Sequence, residues 1–169
     1  MNDTSNIIFT KDECSSIISY ASKTDMNVRG KKYESLTTFK TCKLNPTNET
    51  NWIFDKIYKF LEISLNLKVV QPLENLMINR YDENDLFAKH QDLYFKNQIY
   101  NVVVNLNNEY AGGDFVLYEP DYILKKNIGN ACIFEYTRWH EVKKIESGHR
   151  WSMIAFFLKN NVKHTNSII

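Results

Sequence analysis

The sequence is poor in cysteine, and the cysteines it has do not pair: Cys14, Cys42 and Cys132 are an odd number, far apart, with no C-x-x-C spacing. Neither a disulfide framework nor a zinc knuckle is suggested, and a reducing compartment is the default. Neither sign of charge is in excess, since 21 basic and 20 acidic residues leave a formal charge of +1. No global field therefore draws the protein to nucleic acid or anionic lipid. The densest basic runs, Arg29 to Lys32 and Lys125 with Lys126, are short and lie in loop-like sequence, where solvated surface is the ordinary reading. Long apolar runs are missing too. No segment approaches the roughly 18 apolar residues that span a bilayer, and the opening MNDTSNIIFT lacks the basic start and apolar stretch of a signal peptide. A soluble, cytoplasmic protein without a membrane partner is expected. No linker, internal repeat or low-complexity tract interrupts the chain, so residues 1–169 are expected to form a single domain, large enough to bury a core without staples.

What is present is an ordinary globular composition, 43% hydrophobic and 14% aromatic, with ten Tyr and ten Phe for a packed interior. Residues 10–23 open with Thr10 and Glu13 in the T-x-x-E spacing of a capping box, followed by Ile17, Ile18 and Ala21. A helix is expected there. A second amphipathic helix is expected over 48–65, where Trp52, Ile53, Ile57, Phe60 and Leu61 recur at helical spacing. Between them a polar, glycine-containing stretch leads into the alternation of a strand over about 34–44. After Pro72 the texture changes to short β-type runs, LMINRY, IYNVVVNLN, GGDFVLYE, ACIFE, HEVKKI and RWSMIAFFLK, separated by Gly, Asn and Asp. With no room for helical crossovers, core strands over about 73–159 favour a sandwich, barrel or jelly roll, with the helices covering one outer face. The C-terminal NNVKHTNSII reads as a loose tail.

His90-Gln91-Asp92 places an imidazole and a carboxylate on the same side of an extended chain. Alone, H-x-D is a common coincidence. The signal sharpens with His140, which begins a later strand of a fold that gathers non-adjacent strands around its interior. Two His and one carboxylate form a facial triad with open coordination positions, the set typical of Fe(II) oxygenases, whereas structural zinc prefers a closed tetrahedron, often with Cys. Ten residues on, Arg150 and Ser152 share a face, and that pair suits a carboxylate: Arg offers a planar fork of donors, and Ser adds a hydroxyl. HEVKKI and RWSMIAFF are expected to form a hairpin around Glu146, Ser147, Gly148 and His149, which sets Arg150 about 16 Å along from His140 at about 3.3 Å per residue. A metal-bound dicarboxylate fits that gap; a buried Arg paired with a structural Glu or Asp is the plainer alternative.

The order Y-x5-F-x2-H-x-D, GGDF, HEV-x2-I-x-SG-x-RWS, here Tyr81, Phe87, His90, Asp92, Gly112 to Phe115, His140 to Val142, Ile145, Ser147, Gly148 and Arg150 to Ser152, resembles the prolyl 4-hydroxylase-like branch of the 2-oxoglutarate-dependent oxygenases. The likeness runs over about 76–158, and FTKDECSSII is similar to that family's opening helix. It implies a mainly β double-stranded β-helix (jelly roll), with Fe(II) on His90, Asp92 and His140, and Arg150 on the distal carboxylate of 2-oxoglutarate, joined by Ser152. It also implies that Tyr81 lines that pocket, that Asn105 stands where many relatives carry Tyr, and that Asn101 stands where Thr is common. Both Asn share parity with Val103, so all three side chains are expected on one side of the sheet, the alternative being polar residues that face solvent. The resemblance further implies O₂ as co-substrate, ascorbate as a candidate reductant, and succinate and CO₂ as co-products.

Beside the ligands, Tyr94, Arg138 and Trp139 are candidate substrate contacts, with ordinary packing the alternative. The resemblance implies a flexible cover over the stretch from Thr24 to Glu34. It makes peptidyl-proline 4-hydroxylation the favoured reaction, with another protein side chain or a free amino acid as alternatives. A protein or peptide partner follows, on a monomer with a dimer as the alternative. Near-neutral charge and the lack of a concentrated basic groove disfavour nucleic acid. Two rivals are a catalytically silent jelly-roll metal-binding module and a cupin-like enzyme that uses no 2-oxoglutarate.

Overall fold

The computed structural model describes residues 6–29, 38–71, 73, 76–93 and 95–164. Helix α1 (Lys11–Ser22) starts at a closed capping box: the Glu13 amide donates to Thr10 Oγ1 at 3.3 Å and the Thr10 amide donates to the Glu13 carboxylate at 2.8 Å. Strands β1 (Asn27–Arg29) and β2 (Phe39–Leu44) follow, then α2 (Asn51–Leu65), which buries Ile53, Phe54, Ile57 and Leu61 and ends at Asn66 in the left-handed region. Lys56 of α2 donates to Glu13 at 2.6 Å, tying the two helices together.

Beyond α2 come β3 (Leu67–Val69), β4 (Leu76–Tyr81), β5 (Phe87–His90), β6 (Gln98–Asn105), β7 (Tyr110–Gly112), β8 (Phe115–Leu117) and β9 (Tyr122–Ile123). The chain continues as β10 (Ala131–Glu135), β11 (His140–Val142), β12 (Ile145–Gly148), β13 (Arg150–Leu158) and β14 (Val162–His164). They form a six-stranded sheet in the order β1-β2-β4-β13-β6-β10 and a four-stranded sheet β5-β11-β8-β9, with the pairs β12-β7 and β14-β3 beside them. Every pairing is antiparallel. This is the expected jelly roll.

Alternation along the strands divides the large sheet into two faces. Val102 and Val104 of β6, with Trp151, Met153, Ala155 and Phe157 of β13, join Cys14, Ile17, Ile57 and Leu61 in one apolar cluster, so the helices cover that outer face. The intervening residues face the other way, where Phe39, Tyr81, Val103, Cys132 and Phe134 pack with Phe115, Leu117 and Val142 of the smaller sheet. The functional residues sit in this second layer.

Two expectations are corrected. His140 and Arg150 do not lie on a hairpin: β11 pairs with β5 and β8, whereas β13 pairs with β4 and β6. Between them Ile145–Gly148 pairs with Tyr110–Gly112, and Gly148 at φ 77° turns the chain from one sheet to the other. Arg150 is thus brought to the interior from the opposite sheet, not along His140's own ladder. The C-terminal stretch is not loose as far as it is described, because Val162–His164 pairs with Leu67–Val69. Of the expected cover, residues 30–34 lie outside the described residues, and Asn27–Arg29 pair with β2 at the sheet edge. No helix among the described residues is long and apolar enough to cross a membrane.

Candidate active site

His90 ends β5 and His140 begins β11, and the two are direct cross-strand partners. Asp92 follows β5, its amide donating to the Tyr136 carbonyl at 3.2 Å. The three side chains meet: their ligand atoms lie within 4.8 Å of one another, with His90 Nε2 and His140 Nε2 each 3.3 Å from an Asp92 oxygen. Each Nδ1 lies against the carbonyl two residues back, 2.7 Å from Ala88 O for His90 and 2.8 Å from Arg138 O for His140. Nδ1–H donation to those carbonyls leaves both Nε2 lone pairs aimed at the carboxylate. Acceptors facing an acceptor need a proton or a cation between them. His90 Nε2 is buried and makes no hydrogen bond, so the donor set fits a metal ion.

Asp92 is 2% exposed. Burial opposes its ionisation, but the neighbouring His140 and His90 imidazoles outweigh that and hold the carboxyl below the ordinary range. Asn101 Nδ2 donates to Asp92 Oδ2 at 2.7 Å, and Gln98 Nε2 donates to Asn101 Oδ1 at 2.7 Å. Asn101, expected at the anion pocket, is therefore placed on the metal side, where it orients a ligand. Gln98 was not singled out from the sequence, since its parity differs from that of Asn101. A register shift opposite Phe157 and Leu158 brings it round, and nothing local in the sequence marks that shift. Phe87 stacks on His90 with centroids 3.7 Å apart, and Phe134 meets His140 edge-on at 4.9 Å. Cys132 adds no thiolate, because burial pushes its pKa up to about 12.

The second half of the site lies on the large sheet. Arg150 is paired with Tyr81, and Ser152 lies between Asn79 and Asn105. Arg150 is 1% exposed and donates from Nη1 to Ser152 Oγ at 2.8 Å and from Nη2 to Asn105 Oδ1 at 3.1 Å. Its guanidinium carbon lies 5.3 Å from the centre of the Tyr81 ring. Burial pushes the Tyr81 phenol up, against the pull of Arg150, so it stays a neutral donor. Arg150 Nε has no partner, and among the described residues no carboxylate lies within ion-pair distance of this guanidinium. The plainer alternative, a structural Arg–carboxylate pair, is not what is built. A buried cation held by neutral groups alone is expensive, and an incoming carboxylate relieves it. The sequence expectation that Asn101, Val103 and Asn105 share one face also holds, with both Asn buried between the sheets at 0% and 1% exposure.

Of the candidate substrate contacts, Tyr94 lies outside the described residues. Arg138 donates from Nε to Tyr118 O at 3.0 Å and from Nη2 to Pro120 O, so it braces the turn after β8. Trp139 is 41% exposed, with the Lys89 ammonium 5.8 Å from its ring centre. Both residues border a groove of about 500 Å³ shared with Tyr118, Glu119, Phe134 and Glu135. Phe134, buried at this groove, packs edge-on against His140.

Fold and site together define a jelly-roll enzyme with a two-histidine, one-carboxylate centre facing an arginine pocket. Residues 76–158, the stretch that carries every one of these groups, match the model of the 2OG-Fe(II) oxygenase superfamily. Over that stretch the chain matches a superfamily whose members use Fe(II), 2-oxoglutarate and O₂. No curated protein matches it. Among solved structures, it resembles an oxidoreductase of the 2OG-Fe(II) oxygenase family from Burkholderia pseudomallei, with a TM-score of 0.74 and 14% identity over 96% of this chain and 86% of that one. It also resembles a Pseudomonas putida prolyl-4-hydroxylase (TM-score 0.69, 14% identity, 90% of this chain and 89% of that one). A third is a prolyl hydroxylase from Trichoplax adhaerens, solved with a peptide fragment of the hypoxia inducible factor oxygen degradation domain (TM-score 0.70, 14% identity, 94% and 83%). At such identity the likeness is one of fold, and the substrate is a separate question.

Proposed function

We propose that this protein hydroxylates an unactivated C–H bond, in the first instance C4 of a proline in a peptide or protein, and that its site residues divide as their positions suggest. His90, Asp92 and His140 hold the iron. Asn101, backed by Gln98, keeps the Asp92 carboxylate oriented. Arg150 and Ser152 receive the distal carboxylate of 2-oxoglutarate, with Asn105 fixing the guanidinium and Tyr81 closing the pocket. When bound, iron and 2-oxoglutarate together activate O₂ for C–H oxidation, with succinate and CO₂ as co-products. The protein supplies orientation and a dry, shaped interior: both sheets pack aromatic rings around the site, which limits the water that reaches it.

The observation that carries this reading is the pairing of two incomplete sites. One is a triad whose His90 Nε2 lacks a partner, and the other is a buried Arg150 without a counter-ion. For the substrate, the groove beside β10 supports an extended peptide over a free amino acid: it is solvent-exposed along Glu119, Glu135, Thr137 and Trp139, and Trp139 is the residue before His140. The prolyl hydroxylases among the structural neighbours point to proline as the first residue to test. With balanced charge, we read the protein as a cytoplasmic monomer that acts on protein and not on nucleic acid.

The test is succinate formation with Fe(II), O₂, 2-oxoglutarate and proline-containing peptides, beside Arg150→Ala. Peptide-dependent succinate with a hydroxyproline product, lost in the variant, supports the proposal. Turnover that persists in Arg150→Ala, or that needs no added 2-oxoglutarate, points instead to a cupin-like oxidation. Succinate without hydroxyproline, stimulated by another peptide or amino acid, keeps the chemistry and discards proline.

A further inference from the structure

The proposed anion pocket has an acceptor-rich side and a side still short of donors. Asn105 turns its carbonyl oxygen to Arg150 and its amide to the Lys125 carbonyl, 2.9 Å away, while Ser152 Oγ accepts from Arg150. A carboxylate has up to about four lone-pair sites and can take a further donor beside Arg150 and the Ser152 hydroxyl.

Tyr110 stands close by on β7. Its partner across the two-stranded ladder is Gly148, so the strand that leads the chain into Arg150 also fixes Tyr110. Tyr110 Cε2 and Arg150 Cδ lie 3.2 and 3.3 Å from the point where a Cβ on Gly113 would sit, so the phenol ring and the guanidinium stem converge over that one glycine. Gly113 has φ +65°, a conformation open to glycine, and the missing Cβ leaves room for both side chains. Among the described residues the Tyr110 hydroxyl is buried with no hydrogen-bond partner, and so is Arg150 Nε. Lys126, ion-paired with Asp114 at 2.9 Å, places its ammonium 5.2 Å from the centre of the Tyr110 ring. Buried polar groups are nearly always paired, and two orphans on residues that meet over a single glycine call for one shared partner.

We infer that the Tyr110 hydroxyl is a co-substrate-binding group: it donates to the distal carboxylate of the dicarboxylate held by Arg150, supplying the donor that Asn105, turned the other way, does not. This rests on the reading of Arg150 under Proposed function.

The test is calorimetric binding to Mn(II)-loaded protein without O₂, comparing 2-oxoglutarate with 2-oxobutanoate, which keeps the 2-oxo acid end and lacks the distal carboxylate. Tyr110→Phe weakens 2-oxoglutarate about tenfold or more and leaves 2-oxobutanoate unchanged, as loss of a hydrogen bond to a charged group requires. Thermal unfolding of ligand-free Tyr110→Phe occurs at or above the wild-type temperature, because the hydroxyl removed has no protein partner. Equal weakening of both ligands, or no weakening of either while Arg150→Met abolishes the preference for 2-oxoglutarate, overturns the role of Tyr110 and leaves the pocket standing. If wild-type protein shows no preference for 2-oxoglutarate over 2-oxobutanoate, the pocket itself fails, and the inference with it.

Discussion

On β13, Trp151, Met153, Ala155 and Phe157 point to the helices, while Arg150 and Ser152, set between and beside them, point to the opposite sheet. The same division runs through β6, where Val102 and Val104 are covered by α1 and α2 and Asn101 and Asn105 face inward. The outer face is filled by aliphatic and aromatic groups that need nothing but each other. The inner face carries Asn79, Asn101, Asn105, Arg150 and Ser152, all buried, and leaves polar atoms without partners. The contrast teaches that one strand can secure the fold with alternate residues and give the rest to chemistry. Stability and binding should therefore separate by residue parity.

The largest effect that sharpens this division is expected on the outer side. Ile57, 0% exposed against the sheet, loses its packing in Ile57→Ala and costs about 2–5 kcal/mol in denaturant unfolding, while the protein that remains folded binds metal as before. A fall in intrinsic metal affinity in that variant breaks the separation. On the inner side, Asn101→Ala frees the Asp92 carboxylate from its 2.7 Å hydrogen bond, and metal affinity measured by competition with a chelator drops about 10–100-fold. Unchanged affinity assigns Asn101 to packing alone.

The smallest effect is on acid stability. The Asp92 carboxyl is held below its unfolded value of about 3.9. The folded state gains from this above that pH, and the gain is lost as pH falls through the lower folded value. Metal-free Asp92→Asn therefore shows a shallower loss of stability than wild type below about pH 4, followed by circular dichroism at stepped pH. Parallel curves contradict the assigned direction.

What was legible in the sequence followed local geometry. The T-x-x-E spacing closed as a capping box, and the i, i+2 rule put His90 with Asp92 and Arg150 with Ser152. The jelly roll was legible from short, evenly spaced β runs without room for crossovers. What was not legible depended on pairing between distant strands. The expected hairpin between β11 and β13 failed because Ile145–Gly148 finds its partner in Tyr110–Gly112, a choice made by tertiary packing and by Gly148. For the same reason, the hydrogen bond from Asn101 to Asp92 was not legible: its reach depends on where β6 lies relative to the residues after β5. Tyr110 carried no motif at all, and its position over Gly113 emerges only once β7 and β12 are paired.

The central claim is that the two incomplete halves, the His90–Asp92–His140 triad and the Arg150 pocket, take iron and 2-oxoglutarate as one site. It is tested most directly by adding Fe(II) and then 2-oxoglutarate to metal-free protein without O₂ and recording the visible spectrum beside a His90→Ala, Asp92→Ala variant. The account predicts a weak metal-to-ligand charge-transfer band that appears on 2-oxoglutarate addition in the native protein and is missing from the folded variant. A folded, metal-bound native protein that gives no band, or a band that survives in the variant, contradicts it.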